Sequence, residues 1–235
     1  MKKIAVMQPY LFPYIGYFQL VNEVDTFVCF DDVHFIKKGW INRNNVLLNG
    51  APKLFTFSLS KISQNKLINE HDFADFDNTK KDFMKLIEQS YEKSPQYGDI
   101  IKLLERILNV NVVKISNFIA HSLKEICIYL DIQTKIINSS DLEKNNALPA
   151  QERIIEIIEK CGGNHYINAI GGKTLYDGEA FSKKDIRLSF IQTKPIKYTQ
   201  FGDVFTPNLS IIDLLMFNTK DDMNYLLQQY ELIKK

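Results

Sequence analysis

Short apolar runs closed by turn residues alternate with helix-periodic stretches along most of the chain. "KKIAVMQ" is an unbroken apolar run ended by Pro9, the form of a strand buried on both faces. In "YIGYFQLVNEV", Phe18, Leu20, Val21 and Val24 recur at helical spacing, which predicts a helix starting near Ile15. "DTFVCFDD" is a second apolar run, ended by Asp31 and Asp32. Strand, helix and strand within about 30 residues make a βαβ unit with parallel strands. "NGAP", between Val46–Leu48 and Leu54–Leu59, predicts an antiparallel hairpin with a loop of about four residues.

Three amphipathic helices are expected between about Asp77 and Asp131, in "DNTKKDFMKLIEQSY", "SPQYGDIIKLLERIL" and "VKISNFIAHSLKEICIYLDI". Alternation then returns. "TKIINSS", "HYINA" and "IRLSFIQ" read as strands. "LPAQERIIEIIEKCGG" reads as a helix, with Pro149 near its first turn and Gly162 near its end. "PNLSIIDLLMFN" sets Ser210 three residues before Asp213, the spacing of a capping box. "TKDDMNYLLQQYELI" reads as a closing amphipathic helix. The expected fold class is α/β: a mostly parallel Rossmann-like sheet with a β-hairpin excursion and a helical insertion. The expected organisation is a single domain over 1–235 with a mainly helical insertion at about 77–131.

Composition narrows the function classes. The 45% hydrophobic and 24% charged fractions are those of an ordinary globular chain. A net charge of +1 gives no bulk signal for nucleic acid. No apolar run approaches the roughly 20 residues of a membrane span. "MKKIAVMQPY" reaches Gln8 and Pro9 too soon for a signal-peptide core, so the chain reads as cytoplasmic. Cys29, Cys127 and Cys161 are an odd, widely spaced set, neither a disulfide framework nor a zinc signature. Cys29 and Cys127 lie in apolar contexts and read as small buried hydrophobes. No cofactor is implied, and self-association into a homo-oligomer is left open.

Candidate chemistry gathers after the first two strands. Ligands of open parallel sheets bind beyond the carboxyl ends of the strands. "QPYLFPYIGYF" follows the first strand and "DDVHFIKKGWINRNN" the second, so neighbouring strands would set these segments face to face. The first offers Gln8, Tyr10, Tyr14 and Tyr17. The second offers Asp31 and Asp32 as acceptors, His34 as an acid or base, and Lys37 and Arg43 as cations. It also offers Trp40 as a stacking face and Asn42 with Asn44 and Asn45 as amides. Aromatic planes beside amides and carboxylates suit a sugar, and a local basic cluster suits a diphosphate. Asp32 and His34 are the candidate catalytic residues. Arg153, on the first turn of a helix, and Asn168, at a strand end, are further candidate binders. Taken singly, each has an ordinary structural reading; the expectation rests on their co-location. No metal-ligand spacing is present.

The familiar dinucleotide, nucleophile-elbow and zincin motifs are absent. The first loop occupies the place where adenylyltransferase-type enzymes carry His-x-Gly-His, but Tyr14-Ile15-Gly16-Tyr17 keeps only the glycine. "QPYLFPYIGYFQLV", "DTFVCFDDVHFIKKGWINRNN", "CGGNHYINAIGGKTLYDGEAF" and "FTPNLSIIDLLMFN" together resemble the WbqC-like family over nearly the whole chain. His34 stands where that family's pattern expects Gln. The resemblance implies a role in O-antigen or other surface-polysaccharide biosynthesis. The implied reaction is glycine or acyl transfer to a sugar; joined to the sugar- and diphosphate-suited residues above, the expectation is aminoacyl (glycyl) or acyl transfer to a nucleotide-linked amino sugar from an activated donor. An adenylate-forming or nucleotidyl-transferring enzyme and a non-catalytic nucleotide-sugar binder are the competing expectations.

Overall fold

The computed structural model of the chain describes residues 1–235. The elements run β1 (Lys3–Met7), α1 (Ile15–Glu23), β2 (Thr26–Cys29), β3 (Arg43–Leu48), β4 (Ala51–Thr56), α2 (Phe76–Tyr91), α3 (Tyr97–Leu108) and α4 (Ile115–Tyr129). They continue as β5 (Lys135–Asn138), α5 (Ala150–Lys160), β6 (His165–Ala169), α6 (Gly178–Ser182), β7 (Arg187–Thr193), α7 (Ile211–Phe217), α8 (Lys220–Leu227) and β8 (Tyr230–Lys234). Six strands form one sheet in the order β5-β2-β1-β6-β7-β8, parallel except for β8, and β3 and β4 form a separate hairpin. The α/β class with a mostly parallel sheet is as the sequence indicates.

The strand order places the binding edge. From β1 the chain steps outward to β2 and β5, then returns past β1 to β6 and β7. A topological switch point therefore lies between β1 and β6. β1 pairs with β2 from Ile4 to Met7, whereas only Lys3 and Ile4 pair with β6. The carboxyl half of β1 has no ladder to β6.

Side-chain alternation splits the core in two. Ile4, Val6, Val28, Tyr166 and Phe190 face one way, against the isoleucines of α5 and Phe181 of α6. Ala5, Phe27, Ile167 and Ile191 face the other way, into a larger core shared with α1, α4, α7 and the hairpin. α4 packs on β5 and is the crossover helix from β2; α2, α3 and the hairpin are additions to that crossover. Cys29 and Cys127 are buried, and burial pushes the Cys127 thiol up to about 12. No helix is long and apolar enough to cross a membrane.

Three local expectations need correction. The hairpin turn has two residues, Asn49 and Gly50, at φ 51° and 75°, and Ala51 and Pro52 already belong to β4. Positive φ at both turn positions matches the strand twist, and Pro52 is tolerated because β4 is an edge strand. Asp213 does not complete a capping box: Ser210 alone caps α7, and the carboxylate turns inward to tertiary partners. The closing helix stops at Leu227, and Tyr230–Lys234 pairs antiparallel with β7. Pairing with an already formed sheet edge overrides the local helical pattern there.

Candidate functional site

The loop after β1 divides its aromatic residues between core and surface. Phe12 sits at φ 42°, an unusual backbone for a bulky residue, with its ring fully buried. Neighbouring contacts hold it there. Its carbonyl accepts from Asn44 Nδ2 at 2.8 Å and Ser210 Oγ at 2.8 Å, and its ring stacks on Phe83 with centroids 5.5 Å apart. Asn44 Nδ2 also donates to the carbonyl of Leu11, and the Leu11 amide donates to the carbonyl of Trp40. These bonds pin the loop after β1 to the segment after β2.

That pinning brings Tyr10, Pro13, Tyr14, Trp40, Asn44 and Asn208 around one cavity of about 320 Å³. Tyr14 and Trp40 are the exposed rings of the group, at 38% and 43%. Burial raises the Tyr10 and Tyr14 hydroxyls above their usual range, so both stay protonated as donors at neutral pH. The Tyr14 ring folds back over the first turn of α1. A Cβ on Gly16 would meet its Cε2 at 2.4 Å and Thr193 Oγ1 at 2.7 Å, so the glycine makes room for this ring position.

A second cavity, of about 730 Å³, adjoins the first and shares Tyr14 and Asn208 with it. It lies under the segment 194–210 that connects β7 to α7, with Lys194, Lys197, Asp203 and the rings of Tyr198 and Phe205 on its walls. Such long connections without regular structure are usually functional in compact domains. Asp213, fully buried, anchors this one. It accepts from Tyr91 at 2.8 Å, Tyr198 at 2.5 Å and Gln200 at 2.7 Å. On the opposite wall, Thr193 donates to Gln19 Oε1, and Gln19 Nε2 donates to the carbonyls of Leu226 and Gln229. Those bonds fix α1 against β7 and α8.

Of the residues expected at the site, Tyr10, Tyr14, Trp40 and Asn44 meet in the smaller cavity, Asn44 with its amide spent on the loop backbone; the others lie elsewhere. Tyr17 is buried, its hydroxyl donating to the carbonyl of Gln8; the Gln8 side chain lines neither cavity. Asp31 is buried and accepts from the amide and hydroxyl of Ser140; burial raises its carboxyl above the usual range. Asp32 is buried in an ion pair with Lys144, 2.5 Å away. His34 is exposed and faces the carbonyl of Gln64.

The expected cations and amides are similarly diverted. Lys37 is exposed and lines neither cavity. Arg43 donates to the carbonyls of Gly39 and Lys38, stapling the turn before Trp40. Asn42 is buried and exchanges hydrogen bonds with the backbone of Phe57. Arg153 stacks over Phe30 at 4.6 Å, its Nε without a partner, and Asn168 donates to the hydroxyls of Tyr166 and Tyr176. The ions meant to face the rings are thus mostly committed to folding.

Sequence reasoning missed the second cavity. Its walls come from an aperiodic segment with no motif until "PNLSIIDLL", which carries Asn208 and Asp213. The model of the WbqC-like protein family matches residues 8–225. The chain belongs to this family. The match begins at Gln8 and covers every residue that lines the two cavities. The chain is also 28% identical over 224 residues to Rv1507c, an uncharacterized protein of Mycobacterium tuberculosis, covering 92% of this chain and 93% of that one. No solved structure matches the chain.

Proposed function

We propose that this WbqC-like protein is a transferase of surface-polysaccharide (O-antigen type) biosynthesis that adds an aminoacyl (glycyl) or acyl group to a nucleotide-linked amino sugar. One observation carries the reading. Rings of Tyr10, Tyr14 and Trp40 and the exposed amide of Asn208 converge on a cavity formed by the loop that follows β1, while Asn44 braces that loop. Apolar sugar faces pack on rings, and hydroxyls take amide hydrogen bonds; a few convergent polar groups in an aromatic pocket are the usual form of a small-molecule site. In the transfer, the sugar's amine nitrogen forms a bond to the acyl carbon. The donor's bond to its leaving group breaks, and the amine proton departs with that group or to solvent.

The competing reading is a non-catalytic nucleotide-sugar binder. It is favoured by the separation of Asp32 and His34 from the cavity, since neither expected base touches a molecule held there. Incubation of purified protein with UDP- or dTDP-amino sugars and activated donors, aminoacyl-tRNA included, separates the two. The transferase reading expects a product heavier by one acyl group at the amine, read by mass spectrometry. Tight sugar-nucleotide binding with no product across the donor panel would leave the binder standing.

A further inference from the structure

We infer that the larger cavity receives the nucleoside diphosphate of a nucleotide-linked sugar whose sugar ring occupies the smaller one, with Lys194 and Lys197 holding the diphosphate. The inference rests on the ligand class proposed above and adds where the nucleotide lies and what grips it. Tyr14 and Asn208 line both cavities, so the two lie side by side and one extended molecule lying across these residues would reach both. Volumes of about 320 and 730 Å³ suit a monosaccharide and a nucleotide in that order.

Charge decides the direction. The smaller cavity has no cationic lining residue, and Arg43 is committed to the backbone of its own turn. Lys194 and Lys197 are the cations lining either chamber. Lys197 has no ion-pair partner. Lys194 meets only Glu231, at 3.6 Å with both side chains about half exposed or more, a contact of little worth that a phosphate can displace. Ile15, on the same wall, opens α1, whose first turn holds no acid and no side-chain cap. That helix end adds to the positive field.

The remaining walls match a nucleoside. Asp203 presents a carboxylate that accepts from ribose hydroxyls, and it would repel phosphate placed beside it. Tyr198 and Phe205, edge to face with centroids 5.2 Å apart, offer aromatic surface for a base.

Calorimetric titration with bare UDP and bare dTDP, and with the matching sugar nucleotides, tests this. The intact chain is expected to bind at least one bare nucleotide, more weakly at high salt. Lys194→Gln and Lys197→Gln are expected to weaken it about tenfold each, as loss of a charge-assisted hydrogen bond does. Both lysines are exposed, so the variants fold, and unchanged melting temperatures confirm it. Trp40→Ala is expected to leave bare nucleotide binding intact and to weaken only the sugar nucleotide. Bare nucleotide binding indifferent to both lysine replacements would overturn the inference. So would sugar-nucleotide binding with no affinity for bare nucleotide, which leaves the proposed function standing. No binding of either ligand would remove both.

Discussion

Replacing Asp213 by Ala is expected to destabilise the protein by roughly 3–5 kcal/mol, the range for breaking a buried hydrogen-bond network. The carboxylate is fully buried and accepts from Tyr91, Tyr198 and Gln200, and the Tyr91 hydroxyl in turn accepts from the amide of Leu47 in β3. Alanine leaves the Tyr91 and Tyr198 hydroxyls without their acceptor, while Gln200 Nε2 keeps the carbonyl of Thr206. For a chain of this size such a loss lowers Tm by roughly 6–20 °C. Calorimetric unfolding checks it. Asp213→Asn keeps the shape and one acceptor oxygen, so a smaller loss is expected.

The pH dependence has a definite sign. Burial raises the Asp213 carboxyl above its ordinary value, against the lowering effect of the Tyr198, Tyr91 and Gln200 hydrogen bonds. The folded state therefore holds this proton more tightly than the unfolded chain. That contribution is complete below the unfolded value near 3.9 and is lost as pH rises through the raised folded value. The stability advantage of wild type over Asp213→Asn should shrink across that window. An advantage that grows with pH would show that the hydrogen bonds outweigh burial.

Lys144→Met is expected to cost a similar amount, about 3–5 kcal/mol, because it strands the Asp32 carboxylate in the interior. The two side chains are 1% and 5% exposed, and Lys144 also donates to the carbonyl of Ser139, so the pair clamps the strand ends of β2 and β5. Removing both charges together should undo most of the damage. The double variant Asp32→Val, Lys144→Met is expected to melt within a few degrees of wild type. Chemical denaturation of the four-member cycle gives the coupling directly. The same double variant decides what Asp32 is for. Ligand binding retained in a stable double variant makes Asp32 a structural partner; binding lost with stability restored would return it to the site.

The sequence was legible where local pattern and tertiary outcome agree. Unbroken apolar runs became β1 and β2, the short segments read as strands became β5, β6 and β7, and the order of elements was enough to bring Tyr14 and Trp40 to one hollow. It failed where partners come from far along the chain. Asp31 and Asp32 read as acids free to act because Ser140 and Lys144, more than a hundred residues on, are invisible locally. Arg43 read as a free cation because the carbonyls of Lys38 and Gly39 carry no side-chain signal. β8 was hidden because an edge strand is made by the strand it joins, here β7. Lys194 and Lys197 lie in a segment without periodicity, so nothing marked them until the sheet fixed where β7 ends.

The direct test of the account is thermal unfolding with and without UDP- and dTDP-amino sugars, for wild type, Tyr14→Ala, Trp40→Ala and His34→Ala. A ligand at about a hundred times its Kd stabilises by about 2.7 kcal/mol, which for a chain of this length raises Tm by roughly 5–10 °C. The predicted result is that rise in wild type and His34→Ala, with most of it gone in both ring variants. A rise that survives both Tyr14→Ala and Trp40→Ala, or no rise with any sugar nucleotide, would contradict the account.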